Sequence, residues 1–205
     1  MANNIEEINK IKTVAIDFDG VITNLDIDWK AAVRQASAIV GYDIKSLNLF
    51  YEECFSTADF QKVSTEMEKT EFQALKKATV LPYVKEALQA LSGKKIEVYV
   101  VSMQSFKVVK TFLDQQGLAA YTKGVLTRET CPGKKAQVQC VLKATADSPN
   151  QVLFIDDSKR NITVCSDLGV VCFLFQNSLT LFRKKQAAKE TWNKIMALID
   201  NEFSL

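Results

Sequence analysis

Histidine is absent from all 205 residues of this sequence. Its absence excludes the imidazole base of Ser-His-Asp and Cys-His nucleophile activation, and with it the usual histidine-containing zinc sites. Glycine and proline are scarce, at seven and three residues, which excludes collagen-like and low-complexity chains and points to plentiful helix. The five cysteines (Cys54, Cys131, Cys140, Cys165, Cys172) are odd in number and form no C-x-x-C pair. They read as reduced packing residues, and a catalytic thiol is not expected. No apolar stretch approaches the ~20 residues that span a bilayer. The opening Met1-Ala2-Asn3-Asn4-Ile5-Glu6-Glu7 also lacks the basic-then-apolar profile of a signal peptide. The cytoplasm is therefore the expected compartment, with no membrane partner. Neither sign of charge dominates, the net value being +2. The densest basic run, Arg183-Lys184-Lys185, reads as the solvated face of a helix, so no nucleic-acid partner is expected. Whatever chemistry occurs must run on carboxylates, lysines and hydroxyls.

With 47% hydrophobic and 24% charged residues the composition is that of an ordinary globular protein. The segment Lys12-Thr13-Val14-Ala15-Ile16 is a short run rich in β-branched residues that ends abruptly in Asp17-Phe18-Asp19-Gly20, a buried strand entering a tight loop. Similar runs occur over 96–101, ending at Ser102, and over 152–155, ending at Asp156-Asp157-Ser158. A fourth run, 170–175, follows Gly169. Helical patterns over 83–91, 106–116 and 135–144 lie between them, with Gly93 and Gly117 at stop positions. This alternation predicts an α/β fold, a Rossmann-like doubly wound parallel sheet whose ligands sit outside the carboxyl ends of the strands. All three polar clusters fall on that edge.

One connection is too long for a crossover. From Thr23 to Pro82 the chain spends about sixty residues where ~10–15 are enough. Its apolar residues recur at helical spacing, in Trp29, Val33, Ala36 and Val40, then Leu47, Phe50, Tyr51 and Cys54, then Phe60, Val63, Met67 and Phe72. The expectation is a small helical cap, residues 24–79, inserted after the first strand of a core formed by 1–23 and 80–205. The pattern from Leu179 to Ile199, carrying Leu181, Trp192, Ile195, Met196 and Ile199, predicts a further helix on the flank of the sheet.

The residues at the strand ends carry the chemistry. Asp17 and Asp19 end one strand and Asp156 and Asp157 another, and such a cluster is costly by like-charge repulsion unless a cation or proton compensates it. Magnesium is the expected cation, since it prefers carboxylates and water and no histidine or clustered thiol competes for zinc. Ser102 brings a hydroxyl to the same edge. Lys134 and Lys135, just after Pro132-Gly133, open a helix whose amino terminus favours anions, and either can place an ammonium there.

Taken in order, these segments resemble the haloacid dehalogenase superfamily. Asp17-Phe18-Asp19-Gly20-Val21 is similar to its first motif, Val101-Ser102 to its second, Lys135 to its third and Asp156-Asp157 to its fourth. For the third, Lys135-Ala136-Gln137-Val138 matches the lysine-led helix start better than a frame beginning at Lys134. The resemblance implies a magnesium-dependent phosphohydrolase, of a phosphoglycolate-phosphatase-like kind, acting on a small phosphorylated metabolite. In it Asp17 would be the nucleophile, Asp19 the acid/base and Lys135 the third catalytic residue. Phe18, Gly20, Ser102, Met103 and Lys135 would bind phosphate, and Asp17, the Asp19 carbonyl, Asp156 and Asp157 would hold Mg2+. The acid at Asp19 sets the chain apart from the carbon–halide enzymes of that superfamily. Val21 and Met103 depart from its commoner Thr and Asn. A phosphomutase or phosphotransferase would use the same residues, a silent member would keep only the fold, and a receiver domain fits the order of the acidic pairs poorly. Oligomeric state is not legible here.

Overall fold

The computed structural model describes residues 10–176 and 181–200, with side chains described outside 181–185. In chain order the elements are β1 (Thr13–Asp17), α1 (Trp29–Val40), α2 (Leu47–Glu53), α3 (Ala58–Leu75), α4 (Val84–Gly93), β2 (Glu97–Val101), α5 (Phe106–Gln115), β3 (Gly124–Leu126), α6 (Lys134–Thr145), β4 (Val152–Asp156), α7 (Lys159–Ser166), β5 (Val171–Leu174) and α8 (Leu181–Ile199). The amino-terminal stretch, Leu179, and the side chains of Leu181 and of Arg183-Lys184-Lys185 lie outside the described residues.

The strands form one parallel sheet in the order β3-β2-β1-β4-β5. Every residue of β1 and β4 is buried, as a central strand covered on both faces requires. Because side chains alternate across a strand, Val14 and Ile16 pack with α4, α5 and α8 on one face, through Leu88, Phe112 and Trp192 among others. Ala15 packs with α6 and α7 on the other, through Val138, Val141 and Cys165. The fold is therefore the doubly wound α/β architecture that the sequence predicts. Element boundaries shift from the expected ones by one or two residues; in particular α6 begins at Lys134, one residue before the expected start, and β5 is shorter than the run 170–175. The edge strand β3 is an addition, since the sequence reading has four strands. It has only three residues, Gly-Val-Leu, each half-buried, too few for an alternating pattern to register.

The long connection after β1 builds α1, α2 and α3. Asp28 caps α1 by accepting from the Ala31 N–H, and Gly41, at φ +80°, ends it. Thr57 caps α3 through the Phe60 N–H. Ala32, Ala36, Leu47, Phe50, Tyr51, Phe60, Val63 and Met67 bury into a cluster of their own, to which the main sheet region contributes Met103. The two ends of the connection meet: Thr23 Oγ1 donates to Thr79 O at 2.9 Å and Leu81 N to Ile22 O at 2.9 Å. Trp29, the first of the helically spaced apolar residues, is 38% exposed and lines a cavity. All five cysteines are free. Among the described residues no helix is long and apolar enough to cross a membrane.

Candidate active site

Register assembles the site. Asp17 pairs with Val101 of β2 and Ile16 with Ile155 of β4, so Asp17 and Asp156 end neighbouring strands where the winding of the sheet reverses. This is the crevice in which doubly wound sheets bind ligands. Carboxylate oxygens of Asp17, Asp156 and Asp157 lie within 4.8 Å of one another. Gly20, at φ +92°, lets the loop after β1 turn tightly, and a Cβ there would run into the Asp157 carboxylate. Asn161, in the first turn of α7, donates through Nδ2 to both oxygens of Asp156 at 3.1 and 3.0 Å, and Ser158 N adds a bond at 2.8 Å.

The third-motif expectation is corrected in placement. Lys134, not Lys135, reaches the cluster. Its buried ammonium donates to Asp17 Oδ1 and, at 2.6 Å, to Val101 O, and lies 3.5 Å from Asp156 Oδ2. Lys135, about 100° further round α6, is exposed and pairs with Asp167 at 3.0 Å. We expect Lys134→Ala to lower turnover about a hundredfold or more and Lys135→Ala to leave it within about twofold. Steady-state rates that rank the two variants the other way round would restore the sequence assignment.

Other expected residues are brought in differently. Phe18 packs its ring edge-on against Phe112, with centroids 5.3 Å apart, and only its N–H faces Asp17, donating to Oδ1 at 2.7 Å. Ser102 is fully buried and its hydroxyl bonds Gln104 Oε1 at 2.6 Å rather than facing the cavity. Met103, Gly20, Asp19 and Asp157 do line the cavity, whereas Asp156 lies beneath it. The sequence reading misses Asn161, whose only sequence cue is a polar residue five positions after Asp156. It also misses Glu71 and Arg128, a buried pair at 2.5 Å.

Electrostatics follow from three carboxylates sharing one ammonium. Burial, then Asp156, holds the Asp17 carboxyl well above the usual range, with Lys134 opposing. Burial works to lower Lys134 but is outweighed by Asp17 and Asp156, so its ammonium stays protonated. Negative charge is left uncompensated, and the donors are all oxygens. That set fits a hard divalent cation, with Asp17, Asp156 and Asp157 as the residues able to hold it.

Asp19 accepts from Leu25 N at 2.7 Å. Burial pushes its carboxyl from 3.8 to about 6, with the Leu25 N–H opposing and Asp157 adding. A carboxyl raised on folding stabilises the protein fully below its unfolded value and loses that contribution as pH rises through its folded value. Metal-free protein should therefore lose stability between pH about 4 and 6, by something of order 1–3 kcal/mol from this group, and Asp19→Asn should flatten that part of the curve. Thermal unfolding in chelator across this window, with variant and wild type running parallel, would contradict the assignment.

The profile described as haloacid dehalogenase-like hydrolase matches residues 14–175. A phosphoglycolate phosphatase of Vibrio cholerae is 25% identical over 82% of this chain and 84% of its own length. One from Pseudomonas syringae pv. tomato is 28% identical over 51% of this chain. Against several Pseudomonas relatives the match spans only 35–38% of the relative's length. Among solved structures, a haloacid dehalogenase-like family hydrolase from Streptococcus pneumoniae superposes with a TM-score of 0.63 at 13% identity, covering 91% of this chain and 97% of that one. At that identity the likeness speaks for the fold.

Proposed function

The chain belongs to the haloacid dehalogenase-like hydrolase family, and from that premise we propose that it is a magnesium-dependent phosphohydrolase acting on a small phosphorylated metabolite. The observation that carries this reading is the grouping of Asp17, Asp19, Lys134 and Asp157 on one cavity, with Asp17 held by Lys134 and the Phe18 N–H. The relatives named phosphoglycolate phosphatase support the phosphoryl chemistry.

In this reading Asp17 attacks phosphorus in line, the bond to the leaving oxygen breaks, and an aspartyl phosphate forms. Lys134 and the Phe18 N–H aim Asp17 and oppose its charge. Asp19, with a carboxyl near 6, can deliver a proton to the leaving oxygen and then take one from the water that attacks the aspartyl phosphate, regenerating Asp17. Asp156, fixed by Asn161 and Ser158 N, and Asp157 complete the carboxylate set that would hold magnesium. When bound, the ion offsets charge on the phosphoryl oxygens.

Residues 24–79 act in this reading as a cap that shields the intermediate from bulk water and selects the leaving group. Their separate apolar cluster, the paired ends at Thr23 and Thr79, and their share of the cavity wall support that role. The test is phosphate release from p-nitrophenyl phosphate. Activity should vanish in chelator and return with magnesium, and Asp157→Ala should weaken it more than any loss of folded protein explains. Full activity in chelator, or zinc alone supporting the highest rate, would count against the reading.

A further inference from the structure

The cavity over Asp17 is open to solvent on one side and has a volume of about 720 Å³, room for a ligand of sugar size. Its two walls differ in charge. The sheet edge presents Asp17, Asp19 and Asp157 against Lys134, whereas the wall drawn from α1 and the segment entering α2 presents Trp29, Lys30, Arg34, Lys45 and Asn48. Lys30 and Arg34 stand one turn apart and therefore share a stripe of α1. Ala32 and Ala36, on another stripe, bury into the neighbouring helices. A helix anchored in that way holds its cations at the cavity.

An acid meets these cations only at a distance: Asp28, whose carboxyl is held below its usual value first by the Ala31 N–H, also feels the charges of Arg34 and Lys30. Among the described residues no ion pair involves Lys30, Arg34 or Lys45. Asp28, the nearest acid in sequence to Lys30, caps α1 through the Ala31 N–H. Glu71, the acid of this insertion that lines the cavity, is bound to Arg128. The far wall thus carries three cations facing a site whose near wall takes the phosphoryl group. The exposed indole of Trp29, a flat apolar surface, and the amides of Asn24 and Asn48 line the same cavity.

We propose that the leaving group is of sugar size and carries a second anionic group, phosphate or carboxylate, which Lys30, Arg34 and Lys45 bind at the far wall. This rests on the phosphohydrolase reading and narrows its substrate class to doubly anionic, sugar-sized phosphoesters. Exposed charge contacts give about two- to fivefold each, so three acting together amount to about ten- to a hundredfold.

Two matched pairs separate the anion types: glucose 1,6-bisphosphate against glucose 1-phosphate, and 6-phosphogluconate against glucose 6-phosphate. In at least one pair the wild type should favour the doubly anionic member about tenfold or more in kcat/KM at low salt. The variant Lys30→Gln/Arg34→Gln/Lys45→Gln should bring that ratio below about threefold, and salt should erode it in the wild type. Equal kcat/KM within both pairs, or a ratio unmoved in the triple variant, overturns the proposal. If not even p-nitrophenyl phosphate is cleaved, the hydrolase reading fails, and calorimetry with the two doubly anionic compounds decides on its own. Binding weakened about tenfold or more in the triple variant supports the cationic wall, and equal or undetectable binding in both proteins overturns it. The three side chains are exposed, so the variant should unfold at the wild-type temperature; if it does not, the single variants Arg34→Gln and Lys45→Gln take its place.

Discussion

Asp17→Asn should slow phosphate release by about four orders of magnitude or more while the protein still folds. Asparagine has the same shape and keeps an oxygen to accept from Lys134 and the Phe18 N–H, so the site should keep its geometry. The amide cannot attack phosphorus, and it removes one of the three carboxylates that gather within 4.8 Å. Stability should move the other way. The Asp17 carboxyl is raised on folding, so its ionised form opposes the folded state once pH exceeds its unfolded value. In chelator at neutral pH the variant should therefore melt above the wild type. A variant that retains wild-type turnover removes Asp17 from the reaction.

The second large effect is on stability. Arg128 is fully buried and spends its guanidinium on four partners: Nε on Ser64 Oγ at 2.8 Å, Nη1 on Glu71 at 2.5 Å and Met103 O at 2.9 Å, and Nη2 on Ser64 O at 3.0 Å. It also lies 5.1 Å from the centre of the Tyr51 ring, and Glu71 accepts from Ser105 N at 3.0 Å. These bonds tie α3 to the loops after β2 and β3. Arg128→Met leaves Glu71 as an unpaired buried carboxylate and should cost about 3–5 kcal/mol, a fall in Tm of roughly 10 °C for a chain of this size. Adding Glu71→Gln removes the orphaned charge and keeps an acceptor for Ser105 N, so the double variant should regain part of the loss. If the single variant unfolds within about 1 kcal/mol of wild type, the pair is not the tie described.

The strands that carry the chemistry are legible in the sequence because their signals are local. A β-branched run that stops at Asp17, Ser102 or Asp156 announces both a buried strand and the polar edge where it ends. The edge strand β3 is not legible: three residues have no period, and it forms because Val125 and Leu126 find register beside β2. The choice between Lys134 and Lys135 turns on helix phase. Gly133, at φ +146°, starts α6 one residue before the apolar pattern does, and that step points Lys134 inward and Lys135 at Asp167. The Ser102 hydroxyl was expected to face phosphate, but its bond to Gln104 depends on the turn that follows β2, which no residue type in the run reports. Glu71 and Arg128 are 57 positions apart, and charged residues on a helix and in a loop read as solvated until the fold brings them together.

The central claim is that Asp17 becomes covalently phosphorylated. It is tested most directly by acid-quenching the enzyme in the presence of magnesium and a 32P-labelled phosphomonoester during turnover. The account predicts protein-bound label that hydroxylamine releases, as it does from an acyl phosphate, that maps to the peptide containing Asp17 and that is absent from Asp17→Asn. Label on a different residue, or label on Asp17→Asn equal to that on the wild type, would contradict it.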